Sequence, residues 1–188
     1  MRKLALFFIA GLFSLPLMAQ DTGKLEAFMG YQYLSLGGSN SAFGTGGSQG
    51  LNGFNAALAY NGWKFLGVEG DFSGTYANIQ GISTHFYTYS GGPVLFTNVN
   101  RLKPFAHVLF GGATLSGSES GVSVSWNGLT AMAGGGVDYK ATPHLALRVV
   151  QFDWLYYHFG SKTVATVSIP SFSGSSNYRF STGIIFRF

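Results

Sequence analysis

The chain has 188 residues with no cysteine, 28 glycines, 16% aromatic and only 10% charged residues. The missing cysteines exclude a disulfide framework and a thiolate metal site, and the charge content falls well short of the ~25% usual in soluble domains. The formal net charge of +4 does not indicate nucleic-acid binding, because Arg2 and Lys3 supply two of those charges and no basic cluster remains elsewhere.

After Arg2 and Lys3, the run from Leu4 to Leu17 is apolar apart from Gly11, Ser14 and Pro16, and Leu17-Met18-Ala19 ends on a small residue. A charged start, an apolar run and a small-residue end form the layout of a secretory signal peptide. Residues 1–19 are therefore expected to be removed after Ala19, leaving residues 20–188 as one domain. The run is shorter than the ~20 residues of a spanning helix, and no second stretch approaches ~18 apolar residues. No cysteine lies at the cleavage point, which excludes a lipoprotein anchor. Many aromatics and few charges, with apolar residues interleaved among polar ones, fit a membrane β-barrel.

Period-2 alternation predicts eight strands. The first, Lys24 to Leu36, sets Leu25, Ala27, Met29, Tyr31 and Tyr33 against Glu26, Phe28, Gly30 and Gln32. The second, Leu51 to Tyr60, sets Phe54, Ala56, Leu58 and Tyr60 against Gly53, Asn55, Ala57 and Ala59. Asn61-Gly62 then predicts a tight hairpin. The third, Trp63 to Thr75, opposes Leu66, Val68 and Phe72 to Glu69, Asp71 and Ser73. In the fourth, Thr84 to Phe96, Pro93 cannot donate to a ladder, and a bulge is expected there. The fifth, Leu102 to Thr114, turns Ala106, Val108 and Phe110 away from His107, and the sixth runs from Gly128 to Tyr139 with Asp138 opposite Val137 and Tyr139. The seventh, His144 to Phe159, slips in parity between Arg148 and the pair Gln151 and Asp153, so a bulge is predicted near Val149-Val150. The eighth, Ser176 to Phe188, sets Tyr178, Phe180, Ile184, Phe186 and Phe188 against Arg179, Ser181, Gly183 and Arg187.

Short turns at Asn61-Gly62, Thr97 to Arg101 and Lys140 to Pro143 alternate with long segments from Gly37 to Gly50, Tyr76 to Ser83, Leu115 to Asn127 and Gly160 to Ser175. Short periplasmic turns and longer outer loops are the layout of a bacterial barrel. The predicted fold is all-β, an eight-stranded antiparallel up-and-down transmembrane β-barrel. Strands of about twelve residues, tilted, cover the ~25 Å apolar band. Tyr31, Tyr33, Tyr76, Tyr87 and Trp154 are expected at the outer interface, and Tyr60, Trp63, Tyr139 and Phe188 at the inner one.

In this register Glu26, Glu69, Asp71, Asp138 and Asp153 project into the lumen, as do His107, Arg148, Arg179 and Arg187. Eight strands leave an interior just wide enough for side chains, and buried charges must be paired. Asp153 is expected to meet Arg179, Glu26 to meet Arg187 across the closing seam, and Arg148 to serve Asp138 or Glu69. A salt-bridged plug is the expected result, and a narrow solute or ion conduit is the alternative. The i, i+2 pair Glu69 and Asp71 has the makings of an acid–base couple, but a filled lumen gives a polymer no access. His85, His144 and His158 have no metal-ligand spacing. His158, Ser161 and Glu119 contain the residue types of a hydrolytic triad without a motif that brings them together, so a lipid A deacylase is the enzymatic rival. The glycine tracts Gly134-Gly135-Gly136 and Gly44-Thr45-Gly46-Gly47 lack Walker spacing. No enzyme activity and no cofactor are expected.

The closing strand resembles the C-terminal strand of Gram-negative outer-membrane barrels, whose final Phe belongs to a signal read by the assembly machinery. Tyr178, Phe180, Phe186 and Phe188 match that pattern. More broadly, Lys103 to Gly112, Gly134 to Tyr139, Leu147 to Asp153 and the closing strand make the chain resemble OmpA-type barrels of the outer-membrane protein beta-barrel domain group. The resemblance implies a monomer among outer-membrane lipids, handled by periplasmic chaperones and the barrel assembly machinery. The peptidoglycan-binding domain that follows the barrel in OmpA has no counterpart up to Phe188, so wall anchoring is not implied.

Overall fold

The structure is a computed structural model, which describes residues 24–37, 49–79, 82–119, 122–164, 167–169 and 171–188. The expected signal peptide and most of the Gly37–Gly50 segment lie outside the described residues. Among the described residues ten strands occur: β1 Leu25–Gly37, β2 Gln49–Tyr60, β3 Leu66–Ile79, β4 Ile82–Phe96, β5 Leu102–Glu119, β6 Val122–Lys140, β7 Leu145–Phe159, β8 Lys162–Val164, β9 Val167–Ile169 and β10 Phe172–Arg187. Eight of them close a barrel in the order β1-β10-β7-β6-β5-β4-β3-β2, and every pairing is antiparallel. The short strands β8 and β9 form a separate hairpin between β7 and β10.

The alternation read in the sequence becomes an inside and an outside. Met29, Leu58, Phe72, Phe110, Leu129, Phe180 and Phe186 are exposed, whereas Glu69, Asp71, His107, Asp138, Arg148, Asp153 and Arg179 are buried. This polarity is the reverse of a soluble barrel's, in which apolar side chains fill the interior. The aromatic residues expected at the two interfaces also face outward: Tyr31, Tyr33, Tyr76 and Trp154 toward one end, Tyr60, Trp63 and Phe188 toward the other. Outside, Phe54, Phe72, Tyr87, Tyr76 and His85 form a chain of ring contacts with centroids 5.2–6.4 Å apart. Gly74 lies beneath it, where a Cβ would come within 2.7 Å of the Phe54 ring and 2.8 Å of the Tyr87 ring.

The seam between β1 and β10 is paired from Glu26↔Arg187 to Gly37↔Ser176. Phe188 extends it, its N–H donating to the Leu25 carbonyl at 2.8 Å and its carbonyl accepting from Leu25 N–H at 3.2 Å. The bulge predicted in β7 is present. Val137 pairs with Val150 but Asp138 pairs with Arg148, and on the other side Ser181 pairs with Gln151 but Gly183 with Arg148. Val149 and Val150 consequently both face outward. The Thr182 hydroxyl donates to the Arg148 carbonyl at 2.9 Å, which holds the irregular backbone in place.

Three expectations are corrected. Pro93 makes no bulge: Gly91↔Phe110 and Val94↔His107 keep one register on either side of it. The lost N–H costs ladder bonding locally without inserting a residue. Asn61-Gly62 is not a two-residue hairpin, because β3 begins only at Leu66. Asn61 N–H instead donates to the Lys24 carbonyl at 2.6 Å, which carries the β1–β2 pairing one residue further and pushes the turn outward. Finally, the segments from Tyr76 to Ser83 and from Leu115 to Asn127 are strand over most of their length. Pairing continues to Ile79↔Ile82 and to Glu119↔Val122. Ser, Thr and Gly there carry no strand periodicity, so sequence alone placed them in loops.

At the opposite end the β4–β5 turn is tight. Val99 and Leu102 exchange backbone hydrogen bonds of 2.8 and 2.9 Å, and Asn100 has φ 55°. Asn tolerates this left-handed conformation better than most side chains.

Candidate functional site

The lumen is built in three layers, each placed by the strand register. The middle layer is one connected polar network. Arg179, on β10, is fully buried and makes two kinds of contact. Its Nε donates to Asp153 Oδ2 at 2.6 Å, and its Nη1 and Nη2 donate to the two carboxylate oxygens of Asp71 at 2.7 and 3.2 Å. Fork-to-fork geometry of this sort makes strong charge-assisted hydrogen bonds. Asn55 Nδ2 adds a donor to Asp71 Oδ2 at 2.7 Å. Arg148, on β7, donates to Asp138 through Nε at 2.9 Å and Nη2 at 3.3 Å, while its Nη1 donates to Gln151 Oε1 at 2.7 Å. The rings of Phe28 and Phe105 lie 4.4 and 4.3 Å from its guanidinium carbon. Gln151 then passes the chain on, its Nε2 donating to Asp153 Oδ2 at 2.7 Å.

His107 completes this layer. Its Nδ1 lies 3.1 Å from Glu69 Oε1 and its Nε2 lies 2.8 Å from Asp153 Oδ1. An imidazole with a carboxylate oxygen at each nitrogen is satisfied when both nitrogens donate. The contact to Asp153 spans two strands, and Gly134 makes it feasible. Gly134 lies between them in the register, paired with His107 on one side and Asp153 on the other. A Cβ there would run into the Asp153 carboxylate and lie 2.7 Å from Asp153 Cα.

Below, at the end with the short turns, Glu26 accepts from Lys103 Nζ at 2.5 Å and from Arg187 Nε at 3.1 Å. Lys103 Nζ also lies 4.4 Å from the Phe96 ring centre. Above the polar network the lumen is apolar. Leu34, Leu36, Leu51, Phe86, Leu109, Ala113, Leu115, Met132, Leu155, Tyr157 and Phe159 form one buried cluster. Phe86, Tyr157 and Phe159 meet at ring separations of 5.5–6.4 Å.

All nine lumen candidates named from the sequence therefore project inward, and each has an ionisable partner within 3.3 Å. Sequence reasoning missed Lys103, which has the same parity as His107 on β5 and was detectable. Asn55 and Gln151 stand on the inward faces in the sequence but carry no charge to mark them as members of the network. The apolar upper layer was missed as well. Leu34 and Leu36 continue the inward face of Glu26, Phe28 and Gln32, so the change from polar to apolar filling was also legible.

The chemistry open to these residues is limited. Glu69 and Asp71 face the lumen together, but Glu69 is engaged by His107 and Asp71 by Arg179 and Asn55. Ser73 and Thr88 share a hydrogen bond of 2.7 Å. His85 lies in the outer aromatic chain, His144 Nδ1 sits 3.3 Å from the Arg187 carbonyl, and His158 faces outward. No group of three or more His, Asp or Glu suited to a metal occurs among the described residues. The side chain of Glu119 lies outside them.

No family model matches the chain. No curated protein matches it either. Solved structures do. Neisserial surface protein A superposes with a TM-score of 0.65 at 13% identity, over 90% of this chain and 100% of that one. Ail, the attachment invasion locus protein of Yersinia pestis, superposes with a TM-score of 0.56 at 18% identity, over 89% of this chain and 100% of that one. Ail in complex with the heparin analogue sucrose octasulfate gives 0.54 at 19% identity, over 89% and 100%. At such identities the likeness is one of architecture, and with the closed antiparallel barrel, the outward apolar belt and the charged interior it establishes the fold as that of the eight-stranded outer-membrane β-barrels.

Proposed function

We propose that this protein is a monomeric integral barrel of the bacterial outer membrane, with a closed lumen and a structural or surface-interaction role. One observation carries the proposal: large apolar side chains line the outside while paired charges fill the inside. Exposed Met29, Phe110 and Leu129 would be a liability in water and are at home against acyl chains. The interior supports closure. Two buried arginines are held by carboxylates, and an apolar cluster is stacked on them.

The surface role draws on the four long segments, which are rich in Ser, Gly and Thr and poor in charge. The Ail structure holds a sulfated heparin analogue, but the sparse charge of these segments gives no comparable attraction for a polyanion. Export through a cleaved peptide of residues 1–19 and assembly guided by Tyr178, Phe180, Phe186 and Phe188 belong to the same proposal. Tyr178, Phe180 and Phe186 lie on the outward face of β10, Phe188 directly follows it, and all four are exposed. Partners on this route are periplasmic chaperones, the assembly machinery and outer-membrane lipids.

Single-channel recording of the refolded barrel in planar bilayers tests closure. Silence is expected, and steady conductance would favour the narrow conduit instead. The rival lipid A deacylase predicts a lipid A species short of one acyl chain when the protein is expressed. Unchanged lipid A profiles are expected.

A further inference from the structure

At the short-turn end the lumen opens into a cavity of about 520 Å³. We propose that this vestibule is a binding site for a phosphate-class oxyanion. Among the described residues its wall carries the cations Lys64, Lys103, Lys140 and Arg187 and one carboxylate, Glu26. That carboxylate is already committed, to Lys103 at 2.5 Å and Arg187 at 3.1 Å. The next acid inward, Asp138, is held by Arg148. Lys140 Nζ donates to the neutral amide oxygen of Asn98 at 2.6 Å and makes no salt bridge among the described residues. These cations outnumber the acid, and they come from the β2–β3 turn, β5, β6 and β10, converging on one axis from around the barrel.

This arrangement differs from scattered surface lysines in two ways. It is concave, and Lys103 is buried, with Phe96 and Phe105 packed together below it. A cleft of one charge sign with low-dielectric walls focuses its field and concentrates counter-ions. The donors also suit the ligand: ammonium groups contribute several rotatable N–H donors and Arg187 a planar fork, which together match the many oxygens of a phosphate. In the proposed orientation the mouth faces the periplasm. The phosphate would come from a soluble phosphate compound or from an anionic lipid headgroup leaning over the rim, where Trp63 and Phe65 are exposed.

The test uses the intact barrel with Trp63 as reporter, in a Trp126→Phe, Trp154→Phe background, since the chain has three tryptophans. Inorganic pyrophosphate is titrated in a neutral maltoside detergent. Saturable fluorescence change is expected, weakening with added salt, with Kd raised about tenfold or more by Lys64→Gln, Lys140→Gln together. Those two side chains do not serve Glu26, so folding is retained and heat-modifiable migration verifies it; Lys103→Met is less informative, since it strips Glu26 of a partner. A parallel titration with phosphatidylcholine vesicles, with and without phosphatidylglycerol, separates the sources. A response to pyrophosphate assigns a soluble ligand, and one confined to phosphatidylglycerol assigns a headgroup. No saturable response to either, or one unchanged by the double substitution, overturns the proposal and leaves the closed barrel unaffected.

Discussion

Arg148 shows how much a single lumen side chain holds. Its guanidinium serves Asp138 and Gln151 and lies beside two aromatic rings. Truncation to alanine removes the charge partner of Asp138 and breaks the link through Gln151 to Asp153. Removing one member of a buried ion pair typically costs about 3–5 kcal/mol, because the partner charge is left uncompensated. Arg148→Ala is therefore expected to lower the urea midpoint of the folded barrel in detergent by an amount corresponding to about 3 kcal/mol. An unchanged midpoint would mean that water replaces the guanidinium at no cost. Gly134 makes the complementary point, since its contribution is empty space. Gly134→Val is expected to separate His107 from Asp153 and destabilise the barrel, whereas the outward-facing Ala133→Val beside it should have little effect on the same urea midpoint.

Elements were largely legible because a strand between lipid and lumen has a period of two and errors of parity are visible. The β7 bulge was found in this way, from Arg148 on even parity and Asp153 on odd. The strand ends were less legible. Beyond the bilayer neither face needs to be apolar, so β3 to β6 continue through Ser, Thr and Gly without alternation. The Pro93 expectation failed for a different reason: a missing donor is a local loss, and the residues on either side hold the register. Within the lumen, charges stand out against an apolar background, whereas the Leu and Phe layer is legible only when the parity of a strand is followed outward, as from Phe28 and Gln32 to Leu34 and Leu36. The bulge can be tested directly. Deleting Val150 removes the extra residue, so β7 would alternate regularly with Arg148, Gln151 and Asp153 still facing the lumen. Heat-modifiable, membrane-inserted protein is the expected outcome, and its loss would show that the irregular backbone itself is required.

For the whole molecule, closure depends on the seam, where Glu26 and Arg187 pair across β1 and β10 while Lys103 reaches Glu26 from β5. Phe188 adds the last backbone bonds to Leu25 and an exposed ring. Phe188→Ala is expected to lower the yield of inserted barrel in cells while leaving refolding in detergent close to normal. Equal impairment in both settings would make its role packing and not recognition. The layered interior has an electrical consequence as well. A membrane potential falls across the part of a structure that mobile ions cannot enter, and a unit charge crossing the full drop of 100 mV changes energy by about 2.3 kcal/mol. In the proposed closed barrel that part is the ionic layer and the apolar layer above it. The vestibule beneath them opens to solution and so lies at the potential of the short-turn side. An anion held by Lys64 and Lys140 would experience almost none of the drop, and its occupancy should not change with voltage.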